Sequence, residues 1–139
     1  KLLQDKGDLD GAEPLSREAL EANRETYGDR HVETLLSIGN YSDLLREKGD
    51  LDAAKRTIGE APEVARETIG ADHITTLVLE AKAARIRIAL GEADTNALRE
   101  VVASMEAALG AEHPQTRKYS CVINDLPAHW QGAIVAERG

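Results

Sequence analysis

Aromatic residues are scarce in this chain, where they make up 3% of 139 residues and Phe does not occur. Single-stranded nucleic acid usually stacks its bases on aromatic rings, and this sequence offers few of them. The formal net charge of −8 also repels phosphate backbones and anionic membrane surfaces. We therefore expect no nucleic acid among the partners, and a core built from Leu, Ile, Val and Ala.

Cysteine and long apolar runs are also in short supply. Cys121 is the single cysteine, so the chain cannot form an intrachain disulfide. The apolar runs are far shorter than the roughly 20 residues that a membrane-spanning helix needs. These features favour a soluble, intracellular protein without direct membrane insertion. The compartment itself is left open, because the chain begins at Lys1, partway through a repeat, and a targeting segment could precede it.

The motifs of common catalytic chemistry do not occur in the sequence. It has no Gly-x-x-x-x-Gly-Lys phosphate loop, no His-Glu-x-x-His, no Gly-x-Ser-x-Gly and no Cys-x-x-Cys. We therefore predict that the chain is not an enzyme, and that it has neither catalytic residues nor a cofactor.

Three histidines, His31, His73 and His113, invite a metal-site hypothesis. Each of them belongs to a different repeat, and neighbouring helical hairpins stack about 10 Å apart. Zinc ligands must instead converge to about 2 Å from one ion. We therefore predict no metal site, and we expect these histidines to pack against or cap the helix that follows each of them.

The chain repeats itself at an offset of 42 residues. Gly7-Asp8-Leu9-Asp10 returns as Gly49-Asp50-Leu51-Asp52, and Thr34-Leu35 returns as Thr76-Leu77. The next unit is shorter by two residues, which are lost near Asp94 to Ala97. An internal repeat of about this length indicates a helical hairpin that buries its apolar face by stacking on its neighbours. The sequence thus predicts an all-α solenoid of about three stacked antiparallel hairpins.

Helical periodicity, with glycine at the ends of the periodic segments, predicts where the helices lie. The repeats cover about 1–33, 34–75, 76–115 and, in part, 116–126. The predicted helices are Lys1–Lys6, Asp10–Tyr27, Thr34–Lys48, Asp52–Ile69, Thr76–Leu90, Leu98–Leu109 and Thr116–Leu126. Within the predicted helix Asp52–Ile69, Gly59 would lower helix stability by about 1 kcal/mol and Pro62 by about 3 kcal/mol. We therefore predict a kink or break between Ile58 and Pro62.

The turn sequence Gly-Asp-Leu-Asp-x-Ala, followed by Gly-x-x-His-x-x-Thr-Leu before the next helix, resembles the 42-residue tetratricopeptide repeats of kinesin light chains. The resemblance covers about residues 1–120. It implies a right-handed superhelix whose concave face is lined by the first helix of each hairpin and accepts peptide segments of other proteins. Members of that family often carry paired Asn on this helix; the corresponding pairs here are Gly39-Asn40, Ala81-Lys82 and Cys121-Val122, so Asn40 alone is kept.

The same register would place Asn40, Lys82 and Arg85 on the concave side, where they could donate hydrogen bonds to a carboxylate or a peptide backbone. The alternative is that Lys82 and Arg85 form the solvated stripe of an otherwise apolar helix. Trp130 is a further tentative protein-binding residue. It lies in the non-repeat tail, 127–139, which we expect to cap the open end of the solenoid or to insert into a partner.

These features predict a protein–protein interaction scaffold, with a structural or assembly subunit of a large complex as the first interpretation. One alternative is an adaptor that binds extended peptide or cargo segments in its groove. Another is a regulatory repeat appendage of an enzyme whose catalytic domain lies outside this sequence.

Overall fold

The structure, a computed structural model, describes the backbone of residues 2–126 and the side chains of residues 9–126. Within that part of the chain it contains seven α-helices and no strand. The helices are α1 (Leu2–Tyr27), α2 (Val32–Lys48), α3 (Leu51–Ile58), α4 (Ala61–Ile69), α5 (Ile74–Ala89), α6 (Thr95–Leu109) and α7 (Pro114–Asp125). Successive helices pack on one another as stacked hairpins, which confirms the all-α repeat solenoid. No helix in residues 2–126 is long and apolar enough to cross a membrane.

Three helices begin in the same way, with a histidine as the N-cap. The Nδ1 atom of His31 accepts a hydrogen bond from the backbone N–H of Glu33 at 3.0 Å, and His73 and His113 repeat this contact two residues downstream at 3.1 Å. Each side chain thereby satisfies one backbone donor that a helix start leaves without an internal partner. The predicted capping role of the three histidines is confirmed.

The turn between α2 and α3 uses the Gly-Asp pair of the repeat. Gly49 adopts a left-handed conformation with φ of 91°, which costs a glycine little because it has no Cβ. The Asp50 carboxylate then accepts a hydrogen bond from the backbone N–H of Ala53 and caps α3. This turn reverses the chain, so that α3 packs against α2.

The prediction for the first repeat was wrong. We expected a helix over Lys1–Lys6, a turn at Gly7 and a second helix from Asp10, but α1 runs without interruption from Leu2 to Tyr27. Continuing the helix costs only about 1 kcal/mol at the glycine. The segment Gly7-Asp8-Leu9-Asp10 therefore permits a continuous helix as well as a turn.

The second repeat shows the predicted break. Helix α3 ends at Ile58 and α4 begins at Ala61. Gly59 between them has φ of 38° and ψ of −119°, and a Cβ on this residue would lie 3.2 Å from the carbonyl oxygen of Arg56. Pro62 falls in the first turn of α4, where its missing N–H would have had no partner within the helix. The two residues therefore divide one repeat helix into two.

The core consists of two apolar clusters that meet at α5. One cluster joins α1 to α5 and contains Leu20, Leu35, Ile38, Leu45, Ala54, Ile58, Ala61, Ala65, Leu79 and Ile86. The other joins α5 to α7 and contains Leu77, Ala81, Ala84, Ile88, Leu98, Val102, Met105, Tyr119 and Ile123. Helix α5 supplies side chains to both, so it fixes the position of each hairpin relative to the next.

Candidate protein-binding site

Helices α2 and α5 are the first helices of successive repeats, and they pack side by side. They approach closely at Gly39, where a Cβ would lie 3.0 Å from Leu79 Cδ2 and 3.4 Å from Lys82 Cδ. The absence of a side chain at Gly39 therefore lets the methylene groups of Lys82 cross the surface of α2. This brings the Lys82 ammonium to polar residues on the neighbouring helix.

Asp43 on α2 is the centre of the resulting group of charges. Arg46 donates to Asp43 Oδ1 through both Nε and Nη2, at 3.1 and 3.0 Å, and Lys82 Nζ lies 3.4 Å from Oδ2. Burial alone would raise the pKa of the Asp43 carboxyl, but the charges of Lys82 and Arg46 outweigh it and hold this pKa below its ordinary value. Asp43 is thus ionised at neutral pH and holds two cations in place.

Arg85 lies one helical turn beyond Lys82 on α5 and is half-buried. Among the side chains of residues 9–126, no carboxylate lies within 4.0 Å of its guanidinium. Burial and the positive charge of Arg46 lower its pKa, although a guanidinium stays protonated in proteins. We call Asp43, Arg46, Lys82 and Arg85 the α2–α5 cluster. It has three cations around one carboxylate, with Glu47 on its edge at 3.6 Å from Arg46.

Three cations, from Arg46, Lys82 and Arg85, face two carboxylates, from Asp43 and Glu47, so positive charge is in excess in this cluster. Burial lowers the pKa of the Lys82 ammonium, and the attraction of Asp43 restores only part of it. The pKa of Asp43 itself is lowered, as expected for a carboxylate among excess cations. The chain as a whole carries a net charge of −8, so this surface is a local exception. A group of this kind attracts carboxylates or other anions.

Tyr119 on α7 lies close enough to the cluster for Asp43 and Arg85 to affect its ionisation. Its side chain is fully buried, and its hydroxyl has no hydrogen-bond partner in the described part of the chain. Burial raises the pKa of this phenol to about 12, so it stays neutral and keeps its donor proton at physiological pH.

The structure brings together two of the four residues that the sequence singled out. Lys82 and Arg85 share one surface of α5, and the interpretation of this pair as a solvated stripe is wrong for Lys82, which is 8% exposed and ion-paired. Asn40 is exposed on α2, one helical turn before Asp43. Trp130 and the rest of the tail, 127–139, lie outside the described residues.

Sequence reasoning missed Asp43, Arg46 and Tyr119. The first two carried a usable signal, because opposite charges three residues apart on a helix often pair. Tyr119 carried none, since its proximity to α5 depends on how the last hairpin stacks.

These features define a helical repeat protein with a preformed cationic surface on α2 and α5. Residues 1–61 match the sequence profile of the tetratricopeptide repeat family. This match supports a tetratricopeptide repeat in the first part of the chain, and the 42-residue period continues the pattern into α4 and α5. No curated protein matches the chain. Tetratricopeptide repeats generally mediate protein–protein interactions and are typically non-catalytic.

Proposed function

We propose that this chain is a protein-interaction scaffold, a structural or assembly subunit of a larger complex, that binds an acidic group of a partner protein at the α2–α5 cluster. Its 42-residue period and its turn motif are the grounds for grouping it with the kinesin light chain type of repeat. Binding, and not catalysis, is the activity that we propose.

The observation that carries this proposal is the half-buried Arg85, which has no carboxylate within 4.0 Å among the side chains of residues 9–126. A partly buried charge without a partner is unfavourable, and an incoming carboxylate would relieve this cost. The guanidinium presents a planar set of donors that matches a carboxylate in a bidentate arrangement. Asp43 already fixes Arg46 and Lys82 beside it, so little side-chain freedom remains to be lost on binding.

A second candidate function is the adaptor that binds extended segments. It is favoured by Asn40, whose exposed amide lies on the same side of α2 as Asp43. A peptide along this surface could bond to Asn40 through its backbone while one of its carboxylates reaches Arg85.

The variant Arg85→Gln tests the proposed site, with Arg56→Gln as its matched control. Both substitutions remove one guanidinium, and Arg56 is exposed on α3, a helix that contributes no residue to the cluster. Loss of a charge-assisted hydrogen bond of about 1.5–3 kcal/mol lowers affinity about 10- to 100-fold. We expect tagged Arg85→Gln to recover correspondingly less of its native partners in quantitative mass spectrometry, while Arg56→Gln recovers normal amounts. Equal recovery by both variants, with unchanged circular dichroism, would overturn the proposal.

Chemical crosslinking of natively purified material distinguishes the two proposed functions, assembly subunit and adaptor. Lys118 and Lys55 are suitable reporters because both are exposed, whereas Lys82 is buried and ion-paired. Stoichiometric links from Lys55 or Lys118 to one constant neighbour would support the assembly subunit. Substoichiometric links from Lys118 to varied extended segments would support the adaptor instead.

A further inference from the structure

A second surface lies on the opposite side of α5 from the α2–α5 cluster. Here α4 and α6 flank an open groove with a volume of about 900 Å³, and the exposed side of α5 forms its floor. The α5 residues that line it include Glu80, Ala83 and Arg87. At about 100° per residue, these positions face away from Lys82 and Arg85. We call this surface the α4–α6 groove.

The two places where the chain departs from its own repeat meet in this groove. Gly59 and Pro62, which divide the second repeat helix, line one side of it. On the other side lie Asp94 and Ala97, where the third unit is two residues shorter than the repeat. The groove is therefore specific to this part of the chain, because strict repetition would have produced neither the break nor the shortened connection.

The floor and walls of the groove are built from small side chains. Ala83 and Ala84 of α5 and Ala97 of α6 contribute methyl groups, and Pro62 and Val101 extend the apolar surface at either side. Small residues let a neighbouring backbone approach closely, and helices pack in such grooves with their axes 8–10 Å apart, on the order of one helix diameter. The lining helices bond their own backbone groups internally and offer no strand edge to an extended peptide. A helix satisfies its own backbone groups and needs no such edge.

The rim of the groove is acidic. Five carboxylates line it, from Glu60, Glu63, Glu80, Asp94 and Glu100, against the guanidinium groups of Arg66 and Arg87. Arg66 is paired with Glu80, and no cation lies within 4.0 Å of the other four carboxylates among the described side chains. The groove therefore carries excess negative charge around a small-residue floor.

We propose that the α4–α6 groove docks an amphipathic helix of a partner protein, with an apolar Ala- and Leu-rich stripe flanked by Lys or Arg. The apolar stripe lies on Ala83, Ala97 and Val101, and the flanking cations pair with the acidic rim. This site is independent of the anion-binding cluster on the other side of α5, so one chain contacts two partner surfaces of opposite charge.

The test uses a 15-residue helical peptide, the length of α6, with Ala and Leu on one side and Lys on both flanks. Binding to the full chain is followed by fluorescence anisotropy and by amide chemical shifts. Two control peptides accompany it: one has a central Pro that prevents helix formation, and the other has Glu in place of each Lys. We expect the helical cationic peptide to bind about tenfold or more tightly than either control and to shift the amides of Ala97 and Val101.

Charge reversal in the chain separates groove docking from general attraction. The double variant Glu63→Lys with Glu100→Lys changes the rim, whereas Glu25→Lys with Glu106→Lys makes the same change of net charge at exposed positions outside the groove. We expect the rim variant to lose about tenfold in affinity and the control variant to lose little. Arg85→Gln should leave peptide binding unchanged, so failure of this proposal and failure of the proposed function are distinguishable.

Several outcomes would overturn the proposal. Equal binding of the Pro-containing peptide would show that no helix is recognised. Equal losses of peptide affinity in the two double variants would show nonspecific electrostatic attraction and not docking in the groove. Absence of binding up to about 1 mM peptide would exclude docking of this class of helix. Nuclear Overhauser contacts between residues 127–139 and the groove in the free chain would assign the groove to the chain's own tail.

Discussion

The tetrapeptide Gly-Asp-Leu-Asp occurs twice in this chain, and its two copies adopt different structures. At residues 7–10 it lies inside the continuous helix α1, whereas at residues 49–52 it forms the turn after α2, at Gly49 and Asp50, and the first two residues of α3. At the second copy Gly49 is left-handed and α3 packs back against α2, whereas α1 passes through the first copy without a turn. The tetrapeptide therefore permits a turn without requiring one. We infer that packing between two adjacent helices selects the turn.

The strongest test places a helix of defined length before the first copy. A copy of residues 32–43 in place of Lys1 gives Gly7 a preceding helix of the same length as the one before Gly49. We expect α1 to break at Gly7, with a left-handed conformation there and a new antiparallel contact, because burial of an apolar helix surface outweighs a few lost backbone hydrogen bonds. Carbon chemical shifts and amide exchange at residues 5–11 report on this change.

A helix that remains continuous through residues 2–27 in the extended chain would contradict this explanation. In that case the difference between the two copies would have to originate in residues outside the tetrapeptide.

The same substitution should have opposite effects at the two glycines. Gly49→Ala places a Cβ at φ of 91° and should lower the free energy of unfolding by about 1–2 kcal/mol. Gly7→Ala lies within a helix and should raise helix stability by about 0.5–1 kcal/mol. Urea unfolding with circular dichroism detection measures both. Destabilisation by Gly7→Ala comparable to that at Gly49 would mean that a turn forms at residue 7 in solution.

A smaller effect on stability is expected from substitutions of Asp50 and Asp52. The sequence predicts a helix from Asp52 with Asp52 as its N-cap, and this prediction was wrong: the N-cap is Asp50, whose carboxylate accepts a hydrogen bond from the backbone N–H of Ala53. Asp50→Ala should cost about 1 kcal/mol of stability. Asp52→Ala serves as the matched control: its side chain is exposed and makes no cap contact, so we expect almost no change. Thermal unfolding of the two variants compares them, and equal losses would count against a cap at Asp50.

Much of the fold could be predicted from the sequence because its signals are local. The 42-residue period indicated stacked hairpins, Gly59 and Pro62 indicated the break, and the position of the histidines indicated caps. The first repeat was predicted wrongly, since Gly7-Asp8-Leu9-Asp10 permits a continuous helix as well as a turn. For the site, the sequence indicated Lys82 and Arg85, but it did not indicate that Asp43 on another helix joins them.

From α2 onwards the sequence by itself determined the order of the helices and the break at Gly59, because capping atoms, left-handed glycines and proline act within one turn of the backbone. Only the tertiary structure decided which charges meet. Lys82 reaches Asp43 because Gly39 lets α5 approach α2, and the α4–α6 groove exists because two distant irregularities lie on either side of α5. Such contacts depend on the stacking of whole hairpins, and no local pattern encodes them.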